Sequence, residues 1–408
     1  MKVLYVNHTS LVSGSEHSLL NLLGGLPATV SPCVATPPGR LAQTVQQLGI
    51  PVTLIASTAG SLRLHPLHTP RAIAELGGAA LQVRRAARRH RADVVHANTI
   101  RAGIEVGLAR VPAVASVVHV RDCLPMGTVT TASVRLAVRT ASAVVAVSRY
   151  AAERVRVAAP GAPIEVINPT IDVSRFDPSR VDRLALRARL GPAAGRGLVM
   201  GVVAQLTPWK GQDTAIEALA LLRRQGVDAH LLLIGSAKFV APSTRLDNRA
   251  YVARLRALVA ATGAEDRVSW LGERRDVREL VPALDMLLLP SRDEPFGRAL
   301  LEAMALEVPV LASSEGGATD LVRDGSEGFL LPPGEPAAWA AAARRIAETP
   351  GLGRKLGRAG RLRVTTSFDR SLEVARILEI YDRATRQPGS DRRSRAAERS
   401  DERAGFAV

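Results

Sequence analysis

Short apolar runs separated by helix-forming stretches recur along most of this chain, and that rhythm constrains the fold more than any other feature. In the first half the runs are Val3–Asn7, Cys33–Thr36, Val52–Ile55, Val94–Ala97, Val114–Val118, Val144–Val147 and Glu165–Ile167. A fresh series starts with LVMGVV at 198–203. It continues through LLLIG ending at Gly235, Val268–Leu271, LLLP at 287–290 and VPVLAS at 308–313. Strands alternating with helices give a parallel, doubly wound sheet. Such a sheet binds ligands outside the carboxyl ends of its strands. The expected fold class is α/β.

A chain of 408 residues is too long for one ordinary core, so two domains are expected. The rhythm breaks at Asn168-Pro169-Thr170-Ile171-Asp172. A polar helical stretch, Arg180–Arg189, and a loose one, Gly191–Gly197, follow it. The first domain is placed at 1–172 and the second at 173–371. A helix over about 372–386 is expected to pack back on the first domain. The charged tail, 387–408, is nearly free of large apolar residues and is expected to be disordered.

Aromatic residues are only 3% of the chain, too few for stacking platforms on single-stranded nucleic acid, and no nucleic-acid partner is expected. Cys33 and Cys123 alone build neither a disulfide framework nor a zinc site. No stretch approaches the roughly 18 apolar residues of a membrane span. Met1-Lys2 runs straight into the first strand without a secretion pattern, which reads as a cytoplasmic protein. The formal charge of +16 invites anionic partners. Its sharpest concentration is QVRRAARRHR, where Arg84, Arg85, Arg88, Arg89 and Arg91 share a helix face. A solvated face is the plain reading, and docking on an anionic membrane surface is the functional one.

The stretch Leu287–Val308, LLLPSRDEPFGRALLEAMALEV, holds the strongest candidate site. A strand ends at Pro290-Ser291, and Pro295-Phe296-Gly297 turns the chain into a helix. Free amides at that helix start seek an anion. Glu294 in the loop and Glu302 on the helix seek hydroxyls. The combination suits a ligand that is part phosphate, part sugar, although two carboxylates would also suit a glycoside hydrolase. Lys210 stands beside Gly211 just before the helix TAIEALALLRR, a cation next to free amides. Gly316 and Gly317 follow VPVLAS and permit close backbone approach to a phosphate or base. In the first half, Ser13-Gly14-Ser15-Glu16 opens a helix after the first strand. Gly14 could admit an anion there, or the segment could be a helix cap. It is not a G-x-G-x-x-G fingerprint. His119, Arg121 and Asp122 lie where the fifth strand ends, and His96 follows the fourth. A lone histidine is more often structural.

On these residues the chain resembles the retaining glycosyltransferases of family four, whose two Rossmann-like domains face each other across a cleft (GT-B). The signature is E-x7-E: Glu294-Pro295-Phe296-Gly297 with Glu302-Ala303-Met304-Ala305 after it. QLTPWKGQD, WLGERRDV, LLLPS, GGATDLVRDGSEGFLL, SGSE, VVHAN, AVSRYAAE and VINPTIDVSRFDP support it. The resemblance implies a nucleotide-sugar donor and a hydroxyl acceptor, with no cofactor and no metal. It implies that Lys210 holds the donor diphosphate, Glu302 the ribose hydroxyls and Glu294 the sugar hydroxyls. Phe296 and Gly297 would lie against sugar and phosphate, bordered by Gly316 and Gly317. Gly14 would approach the diphosphate across the cleft, and His119 would face the transferred sugar. Gln205 stands where many members carry arginine, Ser15 where many carry a second glycine, and Asp320 where glutamate is commoner. Arg292 is a candidate substitute for the missing cation. Two other readings share the donor site: a sugar-nucleotide epimerase or hydrolase of similar two-domain shape, and a non-catalytic nucleotide-sugar-binding partner. Acceptor recognition would fall to loops Ser13–His17, Ser61–His68 and His119–Met126.

Overall fold

The computed structural model describes residues 1–58, 69–124, 127–190, 197–238 and 246–386. The loop Ser61–His68, Met126 and the tail 387–408, all given roles above, lie outside the described residues. The chain divides into two compact units. One comprises Met1–Ala146, Ala152–Ile167 and the chain from Val374 onward. The other comprises Val147–Ala151 and Asn168–Glu373.

The first unit is built on seven parallel strands: β1 (Lys2–Val6), β2 (Ser31–Thr36), β3 (Val52–Leu54), β4 (Val94–Ala97), β5 (Ala115–Val120), β6 (Ala143–Ala146) and β7 (Ile164–Val166). Their order is β3-β2-β1-β4-β5-β6-β7. Val3, Leu4, Tyr5 and Val6 of β1 are all buried, as a strand covered on both faces requires. Alternate residues feed two cores. Leu4, Val6, Val95, Val118 and Val120 meet helices Thr69–His90, Ile100–Ala109 and Thr128–Val138. Tyr5, Val94, Val117 and Val145 meet helices Gly14–Leu23, Arg40–Gln47 and Arg370–Arg386. The last of these helices drives Ile377, Ile380 and Tyr381 into the core of the first unit.

The second unit carries six parallel strands: β8 (Leu198–Val203), β9 (Ala229–Ile234), β10 (Val268–Gly272), β11 (Met286–Leu289), β12 (Val310–Ser313) and β13 (Gly328–Leu331). Their order is β10-β9-β8-β11-β12-β13. The four-residue β13 is not among the runs read from the sequence. Met200, Val202, Leu231, Leu233, Leu288 and Leu311 pack against helices Gln212–Arg224, Asn248–Ala261 and Pro336–Glu348. Fully buried Trp339 anchors that core, its indole N–H donating to the Pro332 carbonyl at 2.9 Å.

Each sheet reverses its strand order once. The reversal lies between β1 and β4 in the first unit and between β8 and β11 in the second. At such a point adjacent exit loops diverge to opposite faces, leaving a crevice at the strands' carboxyl ends.

Candidate functional site

The exit loops of β8 and β11 carry the charged residues of the second crevice. β8 leads through Gln205 and a tight turn, Pro208–Lys210, into helix Gln212–Arg224. β11 leads through Pro290–Gly297 into helix Arg298–Ala305. The two loops are bridged by one ion pair: Lys210 Nζ donates to Glu294 Oε2 at 2.6 Å. Glu294 is 4% exposed, and the ammonium also sits 4.0 Å from the Trp209 ring centroid. A carboxylate this deeply buried needs a charged partner, and Lys210 supplies it.

Glycines let these loops press together. A Cβ on Gly211 would fall 2.0 Å from the Pro290 carbonyl oxygen, and one on Gly317 would fall 2.1 Å from that of Pro295. Gly316, at φ +82°, would place a Cβ 2.7 Å from the Glu294 carbonyl oxygen. The Gly317 N–H donates to that same oxygen at 2.7 Å. On the side where a Cβ would stand, the close approach of Gly316 and Gly317 is made to the Glu294–Phe296 backbone. Phe296 also turns inward. Its buried ring lies 6.4 Å from that of Phe368, so what it can offer a ligand is main chain. Gly297, at φ +101°, starts the helix, where the first amides have no partner within it.

Glu302 lies one turn into that helix, half-buried, its Oε1 2.9 Å from Arg298 Nε. The backbone carbonyl of Gln205 accepts from Gln212 Nε2 at 2.9 Å. Arg292 is not a spare cation: its guanidinium donates to Asp213 Oδ2 at 2.9 Å and to the Pro208 carbonyl at 3.0 Å. Among the described residues no group of three or more His, Cys, Asp or Glu is placed to hold a metal ion.

The first unit gathers a different set at its own reversal point. Gly14 begins its helix with open space where a Cβ would stand. The cap reading holds as well, because Ser13 donates through N–H at 3.0 Å and Oγ at 2.6 Å to Glu16 Oε2. From Glu16 a polar chain crosses three strand exits. Asn7 Nδ2 donates to Glu16 Oε1 at 3.2 Å, Asn98 Nδ2 to Asn7 Oδ1 at 2.9 Å, and Arg121 Nε to Asn98 Oδ1 at 2.8 Å. Sequence reasoning missed this chain; its signal is an asparagine directly after an apolar strand, twice.

The end of β5 requires a correction at His119. The strand runs two residues further than expected, so His119 pairs with Val145 inside β5 instead of leaving the sheet. It is fully buried, its ring 5.4 Å from that of His96. Neither ring nitrogen has a hydrogen-bond partner among the described residues. Burial first, then Arg121 and His96, hold its pKa well below the ordinary value, which favours the neutral ring. His96 is likewise buried, its Nδ1 2.6 Å from the Tyr381 hydroxyl, with a pKa lowered to about 3 mainly by desolvation.

Residues 12–175 match the profile of Glycosyltransferase Family 4, and residues 190–363 match that of Glycosyl transferases group 1. The chain belongs to the family-four glycosyltransferases. A 248-residue stretch is 32% identical to a D-inositol 3-phosphate glycosyltransferase of Salinispora arenicola, covering 58% of this chain and 52% of the relative. Over 220 residues it is 36% identical to the Nocardia farcinica protein of the same name, covering 53% and 43%. The chain spans about half the length of the curated relatives it matches. Among solved structures, Anabaena HepE in complex with UDP and glucose superposes with a TM-score of 0.79 at 27% identity, over 93% of this chain and 98% of that one. Sucrose-phosphate synthase from Thermosynechococcus elongatus shares the fold, with a TM-score of 0.75 at 20% identity over 93% and 98%. The two-sheet α/β architecture of this family-four glycosyltransferase is thus GT-B. Within its second unit the structure brings Lys210, Glu294, Gly297, Gly316 and Gly317 together around one loop; Gly14 and His119 belong to the first unit.

Proposed function

We propose that the protein transfers a sugar from a nucleoside-diphosphate sugar to an acceptor hydroxyl, with retention of anomeric configuration and without a metal ion. The Lys210–Glu294 pair carries this reading. It sets a cation and a buried carboxylate side by side at the reversal point of the second sheet, beside the free amides of a helix start. UDP and glucose in one HepE complex and UDP-glucose in another support a nucleotide-sugar donor. In this reading the diphosphate takes the Lys210 ammonium and the amides after Gly297. These preorganised donors sit where charge grows on the leaving group. Lys210 supplies the neutralisation that a metal gives elsewhere. Glu294 then receives sugar hydroxyls and Glu302 the ribose hydroxyls. The acceptor proton passes to the leaving phosphate, so no protein base is required. The first unit takes the acceptor, with the loop at Ser13–His17 among its contacts.

The test is a thermal-shift panel of uridine, guanosine and adenosine diphosphate sugars, followed by transfer assays with the best binder, with and without EDTA. Stabilisation by one donor and EDTA-insensitive transfer are expected, both lost in Lys210→Ala. Epimerisation without acceptor would replace this reading with the epimerase. Binding with no transfer across a broad acceptor panel would leave a non-catalytic binding partner.

We further propose cytoplasmic action with peripheral docking on an anionic membrane. Among the described residues no helix is long and apolar enough to cross one. On helix Thr69–His90, Arg85, Arg88 and Arg89 are exposed and Arg84 half-buried, and Leu81, one turn before Arg85, is 55% exposed. Apolar contact beside several cations is what an anionic leaflet binds. Vesicles containing anionic lipid should pellet the protein, and Arg85→Glu with Arg88→Glu should release it; unchanged pelleting would refute the surface.

A further inference from the structure

Lys210 is a flexible side chain on a short turn, yet the proposed donor site needs its ammonium in one place. We infer that Arg292 is the positioning residue that fixes it, an inference that rests on the donor-site reading. Arg292 grips the Lys210 turn on both sides. Its backbone N–H donates to the Trp209 carbonyl at 2.8 Å, and its Nη1 donates to the Pro208 carbonyl at 3.0 Å. Its Nη2 and Nη1 reach Asp213 Oδ2 at 2.9 Å and Oδ1 at 3.3 Å. Pro208 and Trp209 precede Lys210, and Asp213 follows it at the start of helix Gln212–Arg224. One residue of the β11 loop therefore brackets the turn of the β8 loop. Two further residues brace the bracket from the helix side. The Tyr251 hydroxyl lies 3.3 Å from Asp213 Oδ1 and 3.2 Å from Gln212 Oε1, its one proton shared between them, and Gln212 Nε2 holds the Gln205 carbonyl. Gly211 completes the fit by letting the Pro290 carbonyl come in close.

This arrangement excludes a simpler role. Because Asp213 neutralises the guanidinium, Arg292 brings no uncommitted charge to a diphosphate. Its planar fork matters instead, reaching a carbonyl and a carboxylate at once, which a lysine ammonium on a flexible stem does not reproduce. Glu294 and the Trp209 ring meet the ammonium only where the turn delivers Lys210, so loosening its backbone anchor shifts the ammonium from that position. A charge-assisted hydrogen bond to the diphosphate that is lost in this way costs about 1.5–3 kcal/mol, roughly 10- to 100-fold in affinity.

The test is calorimetric titration of the full chain with uridine, guanosine and adenosine diphosphate, each alone, in Lys210→Ala, Arg292→Ala, Arg292→Lys, Asp213→Asn and the Lys210→Ala/Arg292→Ala double variant. Arg292→Ala is expected to weaken the nucleotide that binds the parent protein by about 10-fold or more. Arg292→Lys should not restore binding, and Arg292→Ala should add no further loss once Lys210 is gone. Asp213→Asn, which keeps the shape and removes the charge, should weaken binding in the same direction even if Arg292→Ala fails to fold. Additive losses in the double variant, or parent-like binding by Arg292→Ala or Arg292→Lys, would overturn the inference. Parent-like binding by Lys210→Ala, or binding of none of the three nucleotides by the parent protein, would instead remove the donor site on which it rests.

Discussion

Glu294→Gln and Lys210→Ala should move nucleoside diphosphate binding in opposite directions. In the ligand-free protein the Lys210 ammonium already has an anion, Glu294, at 2.6 Å. At an effective dielectric of about 20 the gross attraction is about 6 kcal/mol. Desolvation offsets most of it, because Glu294 is buried and the Lys210 side chain is only 14% exposed. A net coupling of about 1–2 kcal/mol is a reasonable remainder for a hydrogen-bonded charged pair. A diphosphate that takes Lys210 has to compete with that coupling. Glu294→Gln removes the competitor and keeps the shape, so a nucleoside diphosphate without sugar should bind about 5- to 30-fold more tightly. The same variant should lose the extra affinity that the sugar brings, and transfer should fall by about 10- to 100-fold, the worth of a hydrogen bond to a charged group. Lys210→Ala should do the reverse: it leaves a buried carboxylate facing the phosphates, weakens diphosphate binding by about 100-fold and destabilises the second unit by about 1–3 kcal/mol. Calorimetry on both variants and the double, with the nucleoside diphosphate and its sugar conjugate, reads all these quantities. Weakening of the bare diphosphate by Glu294→Gln to the degree seen in Lys210→Ala would refute the competition argument and make Glu294 a scaffold for phosphate binding.

Four other substitutions have directions set by the structure. Gly317→Ala forces a Cβ to within 2.1 Å of the Pro295 carbonyl, so it should cost several kcal/mol in a denaturant melt and abolish donor binding; Gly14→Ala, which meets open space, should leave the melt unchanged. Glu105 is fully buried, Oε1 accepting the Thr58 hydroxyl at 2.6 Å, and burial pushes its carboxyl up to about 7. A raised folded-state pKa means its contribution is full below the unfolded value of 4.5 and lost as pH climbs to about 7, so Glu105→Gln should gain up to about 3 kcal/mol over the parent above pH 7 and nothing near pH 4. His119 has the opposite sign: a depressed pKa keeps it neutral when folded, with stability full above the unfolded value of 6.5 and lost as pH falls. His119→Leu should therefore flatten the acid limb of a stability–pH curve by about 1.4 kcal/mol per unit below that value, and an unchanged limb would show that His119 protonates within the fold.

The sheets were legible because a parallel strand buried on both faces is apolar for four or more residues, and helix-forming stretches separate these runs at a regular rhythm. β1, β4, β8 and β11 stand out for that reason, and their exit loops carry Asn7, Asn98, Lys210 and Glu294. Strand ends were less legible. The hydropathy of VVHV does not say whether His119 ends the strand or continues it, and hydrogen bonding to β6 decides that it continues. The glycines were legible as close approaches, but not as approaches to what. A sequence shows that Gly316 and Gly317 tolerate a near neighbour; only the fold shows that the neighbour is the Glu294 loop.

The same limit explains Arg292. Read along the chain it is an arginine between a serine and an aspartate, in a loop that wants cations, with a glutamine where another cation was expected. Its partners, Pro208, Trp209 and Asp213, lie about 80 residues away in sequence and are adjacent only because β8 and β11 are neighbours at the reversal of the sheet. That adjacency turns two loops, each unremarkable alone, into one rigid frame. Arg292 and Gly211 hold the frame on the β8 side, Gly316 and Gly317 hold it on the β12 side, and the Lys210–Glu294 pair spans its middle. A frame sewn by backbone carbonyls depends on its glycines and on the Arg292 fork that reaches those carbonyls. The residues that fix the geometry of the candidate site are therefore largely those without a reactive group.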